Sequence, residues 1–147
     1  VCDFLVNIEA GSFQGRAQIS VIVKDYRKSG LKQAKYFAAL STYEQYCRDE
    51  TLQQSFYPAI TPTRDVLVQI YQRIPQTDAA IDGLFGRMQD LPKMNYCKFR
   101  LALDIFSELG LIQQNLWTQQ IRRNPINGKV DLQSSALLQG LQKKERV

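Results

Sequence analysis

The chain has 147 residues, 44% hydrophobic and 22% charged, with a net charge of +5. That balance fits one ordinary domain or two small ones and argues against general disorder. It contains no histidine, which excludes a Ser-His-Asp triad, a Cys-His pair, a His-ligated metal and a His general base.

Cys2, Cys47 and Cys97 lie far apart with no Cys-x-x-Cys. Neither a disulfide framework nor a zinc site is expected, and scattered reduced thiols predict a cytoplasmic setting. Apolar runs such as 19–23 are short and interrupted, well under the ~18 residues of a membrane helix, so no membrane partner is expected. The first residue is Val1 and no signal peptide precedes it, which reads as a piece of a longer protein.

Residues 2–9 alternate. Cys2, Phe4, Val6 and Ile8 share one face, against Asp3, Asn7 and Glu9 with Leu5. Residues 17–24 repeat the pattern, with Ile19, Val21 and Val23 on one face. Gly11 and Gly15 between the two runs predict turn or bulge geometry, hence an antiparallel hairpin. A lone hairpin is marginal in water, so residues 1–30 read as the closing part of an OB-like sheet whose other strands lie upstream.

Residues 31–60 read as a helical linker. Its stripe runs through Leu31, Ala34, Phe37, Ala38, Leu40, Tyr43, Tyr46 and Cys47, with a break expected at Ser41-Thr42. Pro58 restricts Tyr57 to extended geometry, which places a domain boundary there.

Residues 61–147 read as a winged-helix-like C-terminal domain. Thr61 is the expected cap of a helix with Pro62 in its first turn and Asp65 at its positive end. Val66, Leu67, Ile70, Tyr71 and Ile74 form its stripe, and Pro75 stops it. Thr77 caps a second helix with Ile81, Leu84, Phe85 and Met88. Asn95 caps a third, from Phe99 to Leu109, which Gly110 ends. Strand-like segments follow at 111–112, 116–117 and 121–123. Asn127-Gly128 signals a turn, and 129–132 reads as the returning strand. Ser134 or Ser135 caps a last helix with Leu137, Leu138 and Leu141. The fold class is thus α+β, mostly helical.

The charge is uneven. Residues 111–147 hold six basic side chains (Arg122, Arg123, Lys129, Lys143, Lys144, Arg146) against Asp131 and Glu145. An acidic partner is expected to meet the chain there, unless the charge only solubilises the tail.

The stretch Phe4-x-x-x-x-Glu9 … Phe13-Gln14-Gly15-Arg16 … Gln18-Ile19-x-Val21-Ile22-Val23-Lys24-Asp25-Tyr26-Arg27 resembles the closing hairpin of the OB-fold domain of the RecJ family. These are single-strand-specific DNA exonucleases. The second half is similar to the C-terminal extension of RecJ proteins from Gram-positive bacteria. The similarity runs through Thr63-Arg64-Asp65, Tyr71, Phe99 to Ile112 and Gly128-Lys129-Val130-Asp131-Leu132-x-Ser134-Ser135.

The resemblance implies a non-catalytic accessory region of a 5′–3′ exonuclease of DNA recombination and repair. The family's catalytic core is a DHH phosphoesterase that uses Mn²⁺ or Mg²⁺. Its motif is missing here, so no catalytic residue, metal or other cofactor is expected in this chain.

Arg122, Arg123 and Lys129 flank the expected wing tip at 124–128, where cations lie on phosphates and fix position without reading sequence. Phe13, Arg16, Lys24, Arg27 and Lys28 lie on the hairpin. An aromatic beside cations is what OB-folds use to stack and neutralise single strands. Phe13 has the alternative of packing against missing strands.

Lys98, Arg100 and Asp104 are expected on the exposed face of the third helix, whose mixed charge argues against base reading. Trp117 is expected in the core. Asp78, Asp82 and Asp90 read as solvated helix charges rather than a metal site.

Two functions follow: single-stranded DNA binding, or a winged-helix module that receives an acidic peptide such as the tail of a single-strand-binding protein.

Overall fold

The computed structural model describes residues 2–28 and 32–146. The chain divides between Gln33 and Ala34 into two compact units.

The first unit is an antiparallel hairpin of β1 (Cys2–Phe13) and β2 (Arg16–Lys28). Gln14 and Gly15 join them, with φ of 51° and 77°. Two positive φ values in a two-residue turn give the type I′ twist that suits paired strands. The register shifts between Leu5 and Val6, leaving Lys24 as an extra residue on β2. This bulge reverses the parity of β2, so Tyr26 follows Val23 onto one face. Phe4–Tyr26, Val6–Val23, Ile8–Val21 and Ala10–Ile19 therefore form an apolar ladder. The Phe4 and Tyr26 rings are 6.3 Å apart. The hairpin is as expected. Its side chains are exposed on both faces, and no third strand joins it among the described residues.

The second unit begins within α1 (Gln33–Cys47), at Ala34. The helix runs through Ser41-Thr42 without the expected break, and the Thr42 hydroxyl donates back to the Ala38 carbonyl at 2.9 Å, a bond compatible with the helix. A 3₁₀ turn at Gln54–Phe56 leads into α2 (Tyr57–Ile60). Tyr57 is helical rather than extended (φ −58°, ψ −43°), and Pro58 fits the first turn, where no N–H is needed.

Leu52, Tyr57 and Ile60 form one core with Cys97, Leu101 and Leu141, covered by Ala39, Tyr43, Tyr46 and Leu137. Residues 34–60 are therefore not a linker. They are part of the C-terminal unit, and the division of the chain falls some 25 residues earlier than Pro58 marks it.

Next come α3 (Arg64–Arg73), β3 (Ala79–Ala80), α4 (Ile81–Arg87) and α5 (Tyr96–Glu108). The strands β4 (Ile112–Asn115) and β5 (Gln120–Arg123) and the helix α6 (Ala136–Arg146) complete the chain. The strand order is β3-β5-β4, all antiparallel. Three helices with a short strand after the first and a hairpin after the third give the winged-helix order.

Thr63, not Thr61, caps α3 by accepting from Val66 N at 3.4 Å. Thr61 is instead buried at the end of α2. Thr77 caps nothing, since Ala79–Ala80 are in β3 and α4 starts at Ile81. Asn95 caps α5, accepting from Lys98 N at 2.8 Å, and Gly110 follows the helix at φ +67°.

The hairpin lies one strand earlier in the chain than expected. Its tip is 116–119, and residues 124–131 form a loop with no strand. Ser135 caps α6, accepting from Leu138 N at 3.1 Å.

Candidate nucleic-acid interface

In a winged helix the third helix is the one that enters a major groove. Here α5 is the centre of the core. Its buried residues include Tyr96, Phe99, Leu101, Leu103, Ile105 and Phe106, which ring the helix rather than form one stripe. Phe99 meets Phe85 at 5.5 Å, and Phe106 meets Tyr71 at 5.5 Å. The opposite side is covered by α1, α2 and α6.

The expected exposed face of Lys98, Arg100 and Asp104 is therefore absent. Lys98 is only 6% exposed, and burial lowers the pKa of its amine. Arg100 and Asp104 are half-buried.

Tyr43 from α1 donates to Asp104 Oδ2 at 2.8 Å, and the Arg100 guanidinium is 4.8 Å from the Tyr43 ring centroid. Tyr96 OH donates to Asp82 Oδ1 at 3.2 Å. Burial raises the pKa of Tyr36, Tyr43 and Asp104, and pushes the Cys97 thiol up to about 12. Protonated phenols and thiols are poor nucleophiles, and the Tyr43–Asp104 bond fastens α1 to α5.

Glu108 is likewise occupied. It accepts from the Ser135 hydroxyl, from Ala136 N at 2.8 Å and from Leu137 N at 3.4 Å. The Ser135 hydroxyl and the start of α6 hold its carboxyl below the ordinary range.

The other acidic residues are also dispersed. Asp78 is near Arg122, and Asp90 is paired with Arg73. Among the described residues no group of three or more His, Cys, Asp or Glu side chains could hold a metal ion. No helix among them is long and apolar enough to cross a membrane.

The three C-terminal cations do not act as one set. Register places Ile112, Gln114, Ile121 and Arg123 on the inner face of the β4–β5 hairpin, and Gln113, Asn115, Gln120 and Arg122 on the outer face. Arg123 is half-buried, with its guanidinium 5.5 Å from the Tyr71 ring centroid and its Nε without a partner. Arg122 is exposed, bonded to Gln113 Oε1 at 2.8 and 3.1 Å and loosely paired with Asp78 at 3.9 Å. Lys129 is exposed on the 124–131 loop.

Two cavities flank this hairpin. A cleft of about 580 Å³ lies between α3 and the 123–133 loop, with Leu67, Tyr71 and Phe106 among its apolar walls and Arg64 and Arg123 among its polar ones. A groove of about 480 Å³ on the outer side is lined by Asp78, Gln113, Gln114, Asn115, Leu116, Trp117, Gln120 and Arg122.

Trp117 is at the tip and is 98% exposed, not in the core. Its position in a turn after a polar strand is the signal that composition alone overrode. The turn is built without glycine. Asn115 Oδ1 accepts from Trp117 N and Thr118 N at 3.0 and 3.1 Å, and Gln119 takes a left-handed φ of 51°.

On the first unit, Phe13 and Arg16 face each other across the I′ turn, and Phe13 is exposed. Lys24 is at the bulge, beside Leu5 and Val6, some seven residues or ~25 Å along the strand. The expected hairpin cluster is thus spread out. The side chains of Arg27 and Lys28 lie outside the described residues.

No family model matches the chain, and neither a curated protein nor a solved structure is significantly similar to it.

Proposed function

We infer that the chain is a non-catalytic accessory module that holds single-stranded DNA on its wing. This agrees with its resemblance to the C-terminal part of RecJ-type 5′–3′ exonucleases of recombination and repair. One observation carries the reading: nine of the 13 residues of α5 are buried, while the wing displays a bare indole and an arginine. A duplex reader needs an open third helix to reach base edges. A single-strand binder needs cations for phosphates and aromatic faces for bases. Catalysis and its Mn²⁺ or Mg²⁺ would belong to another part of such an enzyme.

Fluorescence anisotropy with a labelled single strand, titrated with salt, tests the reading. Binding weaker than millimolar at low salt, or a preference for duplex, would refute it.

A second reading has its own support. The cleft beside α3 combines apolar walls with Arg64 and Arg123. That chemistry suits an acidic peptide with an apolar side chain, such as the tail of a single-strand-binding protein. Competition between such a peptide and the oligonucleotide separates the two sites.

A further inference from the structure

We propose that the outer groove of the wing is a nucleobase subsite: Trp117 is the stacking platform, and the amide rows beside it meet the base edge. The proposal rests on the single-strand reading above and deepens it, naming the groove and the groups that would take the base; phosphate contacts alone would still hold a strand without them.

Strand register builds the site. Arg122 and Gln113 form one row across β4 and β5, with Asp78 just before β3 at 3.9 Å from Arg122, and Ala80, Gln120 and Asn115 form the next row across all three strands. The second row ends at the tip that carries Leu116 and Trp117.

Each group has a free function for a base. The Trp117 indole is 98% exposed and spends no apolar contact on the core. Asn115 uses its Oδ1 to hold the turn, and its Nδ2 makes no hydrogen bond among the described residues. Arg122 lies at the far side, where its loose pairing to Asp78 at 3.9 Å leaves charge for a phosphate.

The occupant is a base rather than an apolar side chain for a stated reason. Beyond Leu116 and Trp117 the walls are amides, a carboxylate and a guanidinium. An aliphatic side chain would leave these groups desolvated and unpaired, whereas a base has both a π-face and a hydrogen-bonding edge. An amide can donate or accept, so the site takes any base with little preference.

Trp117 is the only tryptophan in the chain, so intrinsic fluorescence reports on the site directly. The full chain is titrated with a short oligothymidylate and with an abasic oligomer of equal phosphate number. The expected result is saturable quenching by the first and none by the second. The base-bearing strand should bind roughly 5- to 150-fold more tightly, the span of one aromatic stacking contact. Trp117→Ala should reduce its affinity to the abasic level, and Trp117→Phe should keep most of it. Neither variant should alter the fold, because the side chain is outside the core.

Equal binding of the two oligomers with no quenching would overturn the subsite while leaving the phosphate-binding reading intact. Quenching that persists in Arg122→Ala at reduced affinity supports the subsite. Absence of binding by either oligomer would remove both the subsite and the single-strand reading.

Discussion

Arg122 and Arg123 are adjacent in sequence and opposite in role, and replacing each with Ala should separate the two roles. Alternation along β5 directs Arg122 outward and Arg123 inward. Arg122 has an exposed guanidinium and a carboxylate partner no closer than 3.9 Å. An exposed pair of that kind contributes about 0–1 kcal/mol, so its loss should hardly change stability.

What Arg122→Ala should change is salt dependence. One phosphate contact on a single strand contributes about 0.7 to the slope of log K against log salt. With Arg122 and Lys129 both engaged the slope from this region is near −1.4, and removing Arg122 should halve it.

Arg123→Ala should do the reverse. Its guanidinium packs on Tyr71 at 5.5 Å in a half-buried setting. Loss of that cation–π contact should cost about 1–2 kcal/mol of stability and leave the slope unchanged. Anisotropy across a salt series and urea denaturation of the two variants provide the four numbers. A slope flattened by Arg123→Ala as strongly as by Arg122→Ala would show that both cations reach phosphate, and the two-faced description of β5 would be wrong.

Residues 34–147 should fold cooperatively alone, whereas residues 61–147 should lose cooperativity, because the shorter piece uncovers Cys97, Leu101 and Leu141; circular dichroism melts of the two fragments check this. Tyr43→Phe should destabilise the second unit by about 1–3 kcal/mol, the cost of leaving the half-buried Asp104 carboxylate without its donor, measured by chemical denaturation. Glu108 has a folded pKa below its ordinary 4.5, so its contribution to stability is present above that value and is lost as pH falls through the folded one. Glu108→Gln should flatten that part of the stability–pH curve, and an unchanged acid limb would refute the cap. Purified chain should release no nucleotides from single strands with Mn²⁺ or Mg²⁺, and release abolished by any substitution within the chain would contradict a non-catalytic role.

The parts of the fold legible in the sequence are those where one local rule acts unopposed. The alternation of residues 2–9 and 17–24 gave β1 and β2, and Asn95 and Gly110 marked both ends of α5. Where two local signals compete, tertiary packing decides. Thr61-Pro62-Thr63 offers two threonines that could cap α3, and burial of Ile60 and Thr61 at the end of α2 assigns the role to Thr63. Tyr57-Pro58 favours extended backbone locally, yet Tyr57 and Ile60 are core residues and draw the segment into a helical turn. A two-residue strand such as Ala79–Ala80 carries no periodicity to read. Its pairing with β5 is set by α3 and α4 on either side.

The wing shows why a strong local signal misleads when its surroundings are ignored. Asn-Gly predicts a hairpin turn only between two paired strands. Asn127-Gly128 is in a loop instead, where Gly128 at φ +99° lines the cleft beside α3. The true turn uses an asparagine side chain to hold two backbone amides, a device that needs no glycine. Moving the tip from 124–128 to 116–119 removes Arg123 from it and puts Trp117 there. The one-residue alternation of β5 then divides the adjacent arginines between two faces. Burial of α5 completes the argument. Nine of the 13 residues of this helix are buried, and its polar Asp104 and Glu108 are engaged by Tyr43 and by the start of α6. A strand of the kind proposed would therefore meet this unit outside that helix, and the outer wing is where exposed aromatic surface and a cation with no close carboxylate coincide.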